Sequence, residues 1–202
     1  MAAYCTGIQL QSGPVKYGVI RHHHNDHVLG VPAYQAEDAV VLTVKQNEAV
    51  LRAAATDADS LKLQYVEDKY VFDGGSRKLE IIDIGPTPHA EHLLVAWLPA
   101  EGILFEADHF PNPANGQMPP AQPLTKRLAE VIDKLGLDVK TIVGSHSPRI
   151  ASIDDLRRAL ALNLAEATQV SPLNIYDVLR KIPASAGFFC RKFAFSRRIY
   201  SV

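Results

Sequence analysis

Cysteine is nearly absent: Cys5 and Cys190 are the two in a chain of 202 residues. A disulfide framework is therefore not expected, paired Cys-x-x-Cys zinc motifs are missing, and the expected location is a reducing cytoplasm. No apolar run approaches the roughly 20 residues that cross a bilayer, which argues against a membrane partner. Net charge is also lacking: 21 Lys and Arg against 22 Asp and Glu leave a formal charge of −1. Nothing in that balance attracts nucleic acid or an anionic surface. The opening Met1-Ala2-Ala3-Tyr4-Cys5-Thr6-Gly7 has neither the charged start nor the apolar centre of a secretory signal. Internal repeats and low-complexity segments are missing too. What is present is 47% hydrophobic residues, enough for one substantial core but not for two.

Histidine is where the chain concentrates its chemistry. His22-His23-His24-Asn25-Asp26-His27 packs four potential metal ligands, His22, His24, Asp26 and His27, behind an apolar Val19-Ile20 that reads as a strand end. Imidazole nitrogen and carboxylate oxygen are ligands that zinc and iron accept. On an extended backbone, side chains two apart share a side. His22, His24 and Asp26 are thus expected to converge, with His27 entering from the following turn and His23 pointing away. The remaining histidines lie in Pro88-His89-Ala90-Glu91-His92, in Ala107-Asp108-His109 and in Gly144-Ser145-His146-Ser147, so all eight fall in four short windows. No helix-borne His-Glu-x-x-His is present. The ligands must be gathered from distant loops, as a rigid scaffold presents a site at the ends of its strands.

Strand and helix signals alternate after the first window. Val40 to Thr43 reads as a buried strand and Gln46 to Ala55 as a helix. Lys69 to Phe72 and Lys78 to Ile84 flank Asp73-Gly74-Gly75-Ser76, a hairpin signal. Those glycines do not read as a phosphate cradle, because no helix follows them. A second hairpin joins Leu93 to Leu98 and Ile103 to Phe105 through Pro99-Ala100-Glu101-Gly102. The segment from Phe110 to Pro123 reads as irregular backbone. Leu124, Leu128, Val131, Ile132 and Leu135 mark one helical face that Gly136 closes. Val139 to Val143 is a strand delivering His146. Ser152 and Asp155 form a capping box ahead of a stripe of Ile153, Leu156, Leu160 and Leu164. A last helix opens at Ser171-Pro172 and stops at Pro183. The end, 188–202, interleaves Arg191, Lys192, Arg197 and Arg198 with aromatics. It reads as a structural or dispensable tail, with an edge strand or a binding surface as the other readings.

The four windows together resemble the metallo-β-lactamase superfamily. His22-His23-His24-Asn25-Asp26-His27 followed by Gly30 is similar to that family's His-x-His-x-Asp-His signature. Gly85-Pro86-Thr87-Pro88-His89 resembles its next histidine motif, Leu104-Phe105-Glu106-Ala107-Asp108 its bridging-aspartate motif, and Gly144-Ser145-His146 its final one. The resemblance spans about residues 15–165. It implies an α/β fold, a four-layer αββα sandwich, over a domain of residues 1–187. Only 21 residues precede His22, so the first half-sandwich is expected to be incomplete, which favours a homo-oligomer through exposed strand edges.

Carried over, the resemblance implies that His22, His24 and His89 bind one divalent ion, that Asp26, His27 and His146 bind a second, and that Asp108 bridges them. Zinc is the metal favoured, with iron or manganese as alternatives. Such a pair shares a water, lowers its pKa and holds it as a bridging hydroxide for attack on a small ester, thioester, lactone or lactam. Asp26 is the catalytic candidate, orienting that hydroxide or carrying its proton. His92 is the other candidate for the place of His89. Failing that, His92 and Glu91 are expected to hold a ligand imidazole by hydrogen bonds. His109 reads as a pocket wall or a surface residue, His23 as structural. Having both Asp108 and His27 resembles the glyoxalase II and lactonase branch, while Arg21 departs from the usual threonine before the first histidine. Two other functions stand beside the hydrolase: a mononuclear iron dioxygenase of the persulfide type, and a metal-binding protein or subunit without catalysis.

Overall fold

Alternation of apolar residues along the strands decides which layer each side chain enters. In the computed structural model, which describes residues 13–169, β1 (Tyr17–Val19), β2 (Val40–Thr43) and β3 (Leu63–Tyr65) form a three-stranded parallel sheet in that order. The second sheet has six strands in sequence order: β4 (Lys69–Asp73), β5 (Lys78–Asp83), β6 (Leu94–Leu98), β7 (Ile103–Glu106), β8 (Thr141–Gly144) and β9 (Ala151–Ser152). Its pairs are antiparallel except β7 with β8. The β7–β8 crossover is made by α4 (Pro123–Leu135), whose chain leaves through Gly136 in the left-handed conformation, φ 61°.

Three apolar clusters fill three interlayer spaces, which is the αββα order. Val41 of β2 points outward to Val31 and Tyr34 of α2 (Val31–Ala36) and to Leu51 of α3 (Glu48–Ala54). Its neighbours Val40 and Leu42 point inward, meeting Tyr70, Phe72, Leu79, Ile81, Leu94 and Ala96 of the second sheet. The other side of that sheet sends Ile82, Val95, Trp97 and Leu104 against Leu128, Val131 and Ile132 of α4 and Leu156 and Ala159 of α5 (Ile153–Gln169). A shift of one residue in β2 or β5 would exchange these spaces and put each apolar set on the wrong face.

Both expected hairpins and the α4 stripe are found. The strand expected from Val139 starts at Thr141, because the Val139 N–H turns back to the Leu137 carbonyl at 2.8 Å and the Lys140 N–H bonds Gly102. Among the described residues no helix is long and apolar enough to cross a membrane. The compact unit that carries the site ends at Asn163. The expected helix after Ser171, the tail 188–202 and both cysteines lie outside the described residues.

Strand direction sets the site. β5, β7 and β8 run the same way, so the loops leaving them emerge on one edge, and the Leu94 N–H that starts β6 bonds the Arg21 carbonyl at 3.0 Å. That bond brings the segment after β1 to the same edge.

Candidate metal centre

The segment after β1 bends at His22, His23 and His24, and His24 is its last residue with extended dihedrals before helical backbone begins. Its carbonyl accepts from the His27 and Val28 N–H groups, both at 3.0 Å, and opens the single turn α1 (Asn25–Val28). Asp26 and His27 therefore sit on helical backbone, which rotates side chains by about 100° per residue. The expected convergence of Asp26 with His22 and His24 on one extended side does not occur. Instead His22 and His24 gather with His89, and Asp26 and His27 gather with Asp108 and His146. His23 is exposed and belongs to neither group.

His89 is delivered by a loop wired at its base. The Asp83 carboxylate, at the end of β5, accepts the Gly85 N–H at 2.9 Å, the Leu93 N–H at 3.3 Å and the His92 ring Nδ1–H at 2.6 Å. Within the loop, the Thr87 hydroxyl accepts the N–H groups of His89 and Ala90, each at 3.1 Å, and Arg127 of α4 donates to the carbonyls of Ile84 and Pro86. His92 thus braces the loop through Asp83. It is neither the ligand in place of His89 nor the support of a ligand ring, and Glu91 is exposed.

Asp108 follows β7 in a backbone conformation that L-residues rarely adopt, φ 61°, closed by a 2.7 Å bond from the His109 N–H to the Ala107 carbonyl. Such a turn is strained by about 1–3 kcal/mol and persists where the surroundings over-determine it. Here they do. The His109 N–H also reaches Glu106 Oε2 at 2.9 Å, its ring Nδ1–H donates to Ala107 at 2.8 Å, and its carbonyl accepts the Thr125 hydroxyl at 2.8 Å. His109 is fully buried, so it is a wall and not a surface residue. Burial holds its imidazole below the usual range. Burial likewise pushes the Glu106 carboxyl up to about 7, against the pull of the His109 N–H and of Arg21.

The loop of His146 leaves β8 through Gly144, where an added Cβ would stand 2.6 Å from Glu106 Oε1 and 2.9 Å from Ser147 Oγ. The Ser147 hydroxyl donates to the Phe110 carbonyl at 2.9 Å and accepts the Asn112 N–H at 3.2 Å.

All of this converges on one carboxylate. Asp108 Oδ2 lies 3.7 Å from His22 Nε2, 3.6 Å from His89 Nε2 and 3.6 Å from His27 Nε2, while Oδ1 lies 3.3 Å from His146 Nε2. His22 and His89 Nε2 are 3.1 Å apart, and Asp26 Oδ2 is 3.1 Å from His146 Nε2 and 3.5 Å from that of His27. Burial and the surrounding imidazoles lower His22 to about 3, which favours the neutral ring that a metal would require. Burial alone would raise Asp108, but the nearby His27, His22, His146 and His89 hold it down at about 2.

These residues fit divalent metal. In each group the ligand atoms lie within 4.8 Å of one another. Nitrogens bound to one tetrahedral zinc at about 2.0–2.1 Å stand roughly 3.3 Å apart, close to the His22–His89 separation. Asp108 Oδ2 and His27 Nε2 are buried without a hydrogen-bond partner among the described residues. A cation would satisfy both. His22 Nδ1 also has no such partner among the described residues.

The sequence pattern of the metallo-β-lactamase superfamily matches residues 8–146. The chain belongs to the metallo-β-lactamase superfamily. Solved structures agree on the fold. A metallo-β-lactamase from Pontibacter korlensis is 22% identical with a TM-score of 0.55, over 78% of this chain and 71% of its own. An archaeal metallo-β-lactamase superfamily protein from Sulfolobus tokodaii is 21% identical with a TM-score of 0.55, over 84% and 77%. A metal-soaked flavodiiron core from Synechocystis sp. PCC6803 is 17% identical with a TM-score of 0.57, over 76% and 44%. At these identities the likeness is one of fold alone. No curated protein matches the chain.

Within this metallo-β-lactamase superfamily member, sequence reasoning names every residue of the two groups and misses their supports. Asp83, Thr87, Arg127, Glu106 and Ser147 carry no spacing signal of their own. Each acts through a backbone group that only the folded loops bring near. The one available hint is position, since Asp83 and Glu106 stand at strand ends.

Proposed function

We propose that the protein is a dinuclear metal-dependent hydrolase that cleaves a small ester, thioester, lactone or lactam. The observation that carries this reading is the meeting of two ligand groups on the single Asp108 carboxylate. His22, His24 and His89 would hold one divalent ion, and Asp26, His27 and His146 the other, with Asp108 between. The donor set of imidazole and carboxylate suits zinc, with iron and manganese as further candidates. A bound pair lowers the pKa of a shared water and stabilises negative charge developing on the substrate oxygen.

The chain's own groups do the rest. Asp26 is half exposed and 3.1 Å from His146 Nε2, so its carboxylate is open to solvent beside its group, where it would orient the attacking water or carry its proton outward. His22, fully buried, excludes water from the inner side. A cavity of about 190 Å³ opens beside the second group, lined by Asp108 and His146 together with Phe110, Pro111, Leu124 and Gln122. It is smaller than the roughly 300–1,000 Å³ of pockets that enclose drug-sized ligands. A small, largely apolar substituent suits it, and a polymer does not.

The test is turnover of a chromogenic panel of ester, lactone and cephalosporin by the zinc-loaded protein, beside a His24→Ala control and with metal content measured on both. The expected result is two zinc per chain and turnover at least about 100-fold above the control, in keeping with the contribution of a metal-activated nucleophile. One iron per chain with no hydrolysis would favour the dioxygenase reading. Two zinc with no turnover would favour a metal-binding protein without catalysis.

A further inference from the structure

Arg21 stands immediately before His22, yet its side chain reaches the loop of His146. Its Nη2 donates to the Ser145 hydroxyl at 3.0 Å, and its guanidinium lies over the Phe105 ring, 4.9 Å from the centroid. Its carbonyl accepts the Leu94 N–H at 3.0 Å, so the backbone at Arg21 is fixed to the second sheet. Ser145 in turn donates its N–H to the Glu106 carbonyl at 3.1 Å. One planar side chain therefore joins the residue before the first group's His22 to the residue before the second group's His146.

We propose that Arg21 is a positioning residue that couples the two ligand groups, fixing the loop of His146 through Ser145 so that the second divalent ion is held. This rests on the dinuclear reading above. His146 needs such support because it is half exposed and its loop begins at a glycine. A further anchor of the loop, Ser147, lies on the far side of His146 and ties it to Phe110 and Asn112. Arginine suits the task better than lysine: its guanidinium lies over the Phe105 ring while still presenting a donor in a fixed direction, which an ammonium on a flexible stem does not.

The test is cobalt(II) titration of the full chain, read by the visible absorption of each bound equivalent and by competition with a chromophoric chelator. Wild type is compared with Arg21→Met, Arg21→Lys, Ser145→Ala and the double variant Arg21→Met with Ser145→Ala. Wild type is expected to bind two equivalents. Arg21→Met and Ser145→Ala are expected to bind the first equivalent unchanged and the second about 10–100-fold more weakly, the range found for groups that orient metal ligands. The double variant should be no worse than either single, because both remove one interaction. Arg21→Lys should recover the second affinity only in part. Wild-type affinity for both equivalents in Arg21→Met and Ser145→Ala would overturn the proposal, as would equal weakening of both equivalents. If Arg21→Met fails to fold, Ser145→Ala alone decides by the same criteria. If wild type itself binds fewer than two equivalents, the dinuclear reading fails and takes the proposal with it.

Discussion

Asp108 is the residue on which the two groups depend. Its carboxylate stands among four imidazoles from both, on a backbone turn of positive φ. Asp108→Asn keeps the shape and removes the charge. Metal analysis of the dialysed variant should show fewer than two equivalents per chain, and retention of two would contradict the bridging role. His89 and His92 make a second contrast. His89→Ala should remove an equivalent, whereas His92→Ala should leave the count unchanged and lower stability by about 1–3 kcal/mol, since it strips a hydrogen bond from the buried Asp83 carboxylate. The members of the two groups are readable in the sequence because metal-binding chemistry admits few residue types. The role of His92 is not, because nothing in the chain order shows that β5 places Asp83 beneath it.

Elements set how firmly those residues are held. At the start of α5, the Ser152 hydroxyl accepts the Asp155 N–H at 3.2 Å and Asp155 Oδ2 accepts the Ser152 N–H at 2.8 Å, the reciprocal cap expected from sequence. Ser152→Ala should cost about 1 kcal/mol in denaturant unfolding. The Ser152 N–H and hydroxyl hold the Asp155 carboxyl below its ordinary value of 3.8. Asp155 therefore contributes stability that is complete above that value and is lost as pH falls through the lower folded one. Acid unfolding of Asp155→Asn should lack that component. Gly144→Ala tests the opposite end of β8. The new methyl meets Glu106 Oε1, which cannot swing away while Oε2 is bonded to His109, so the His146 loop should shift and second-site affinity should fall at least tenfold. Hairpins and the α4 stripe are legible in sequence because turn residues and periodicity are local. The turn α1 is not: its four residues are too few to carry a period, and the bonds to the His24 carbonyl decide it.

At the scale of the whole molecule, the alternation of single strands assigns residues to three spaces, and the order of the layers follows. Sequence expects the αββα order from family resemblance. Periodicity alone could not supply it, since it does not say which apolar face meets which. The centre ties both halves of this sandwich, because the first sheet supplies His22, His24, Asp26 and His27 and the second supplies His89, Asp108 and His146. Removing metal should therefore loosen the whole fold. On the proposed dinuclear reading, each ion held at free zinc near 1,000 times its dissociation constant would add about 4 kcal/mol of stability, so a chelator should lower the melting temperature markedly in wild type and much less in Asp108→Asn.

Anomalous diffraction at the zinc edge, from crystals of protein prepared with zinc, would show whether the two groups hold a pair of ions on Asp108. Two peaks per chain are expected, one among His22, His24 and His89 and one among Asp26, His27 and His146, with the Asp108 carboxylate reaching both. A single peak, or none, with these side chains ordered would contradict the bridged pair.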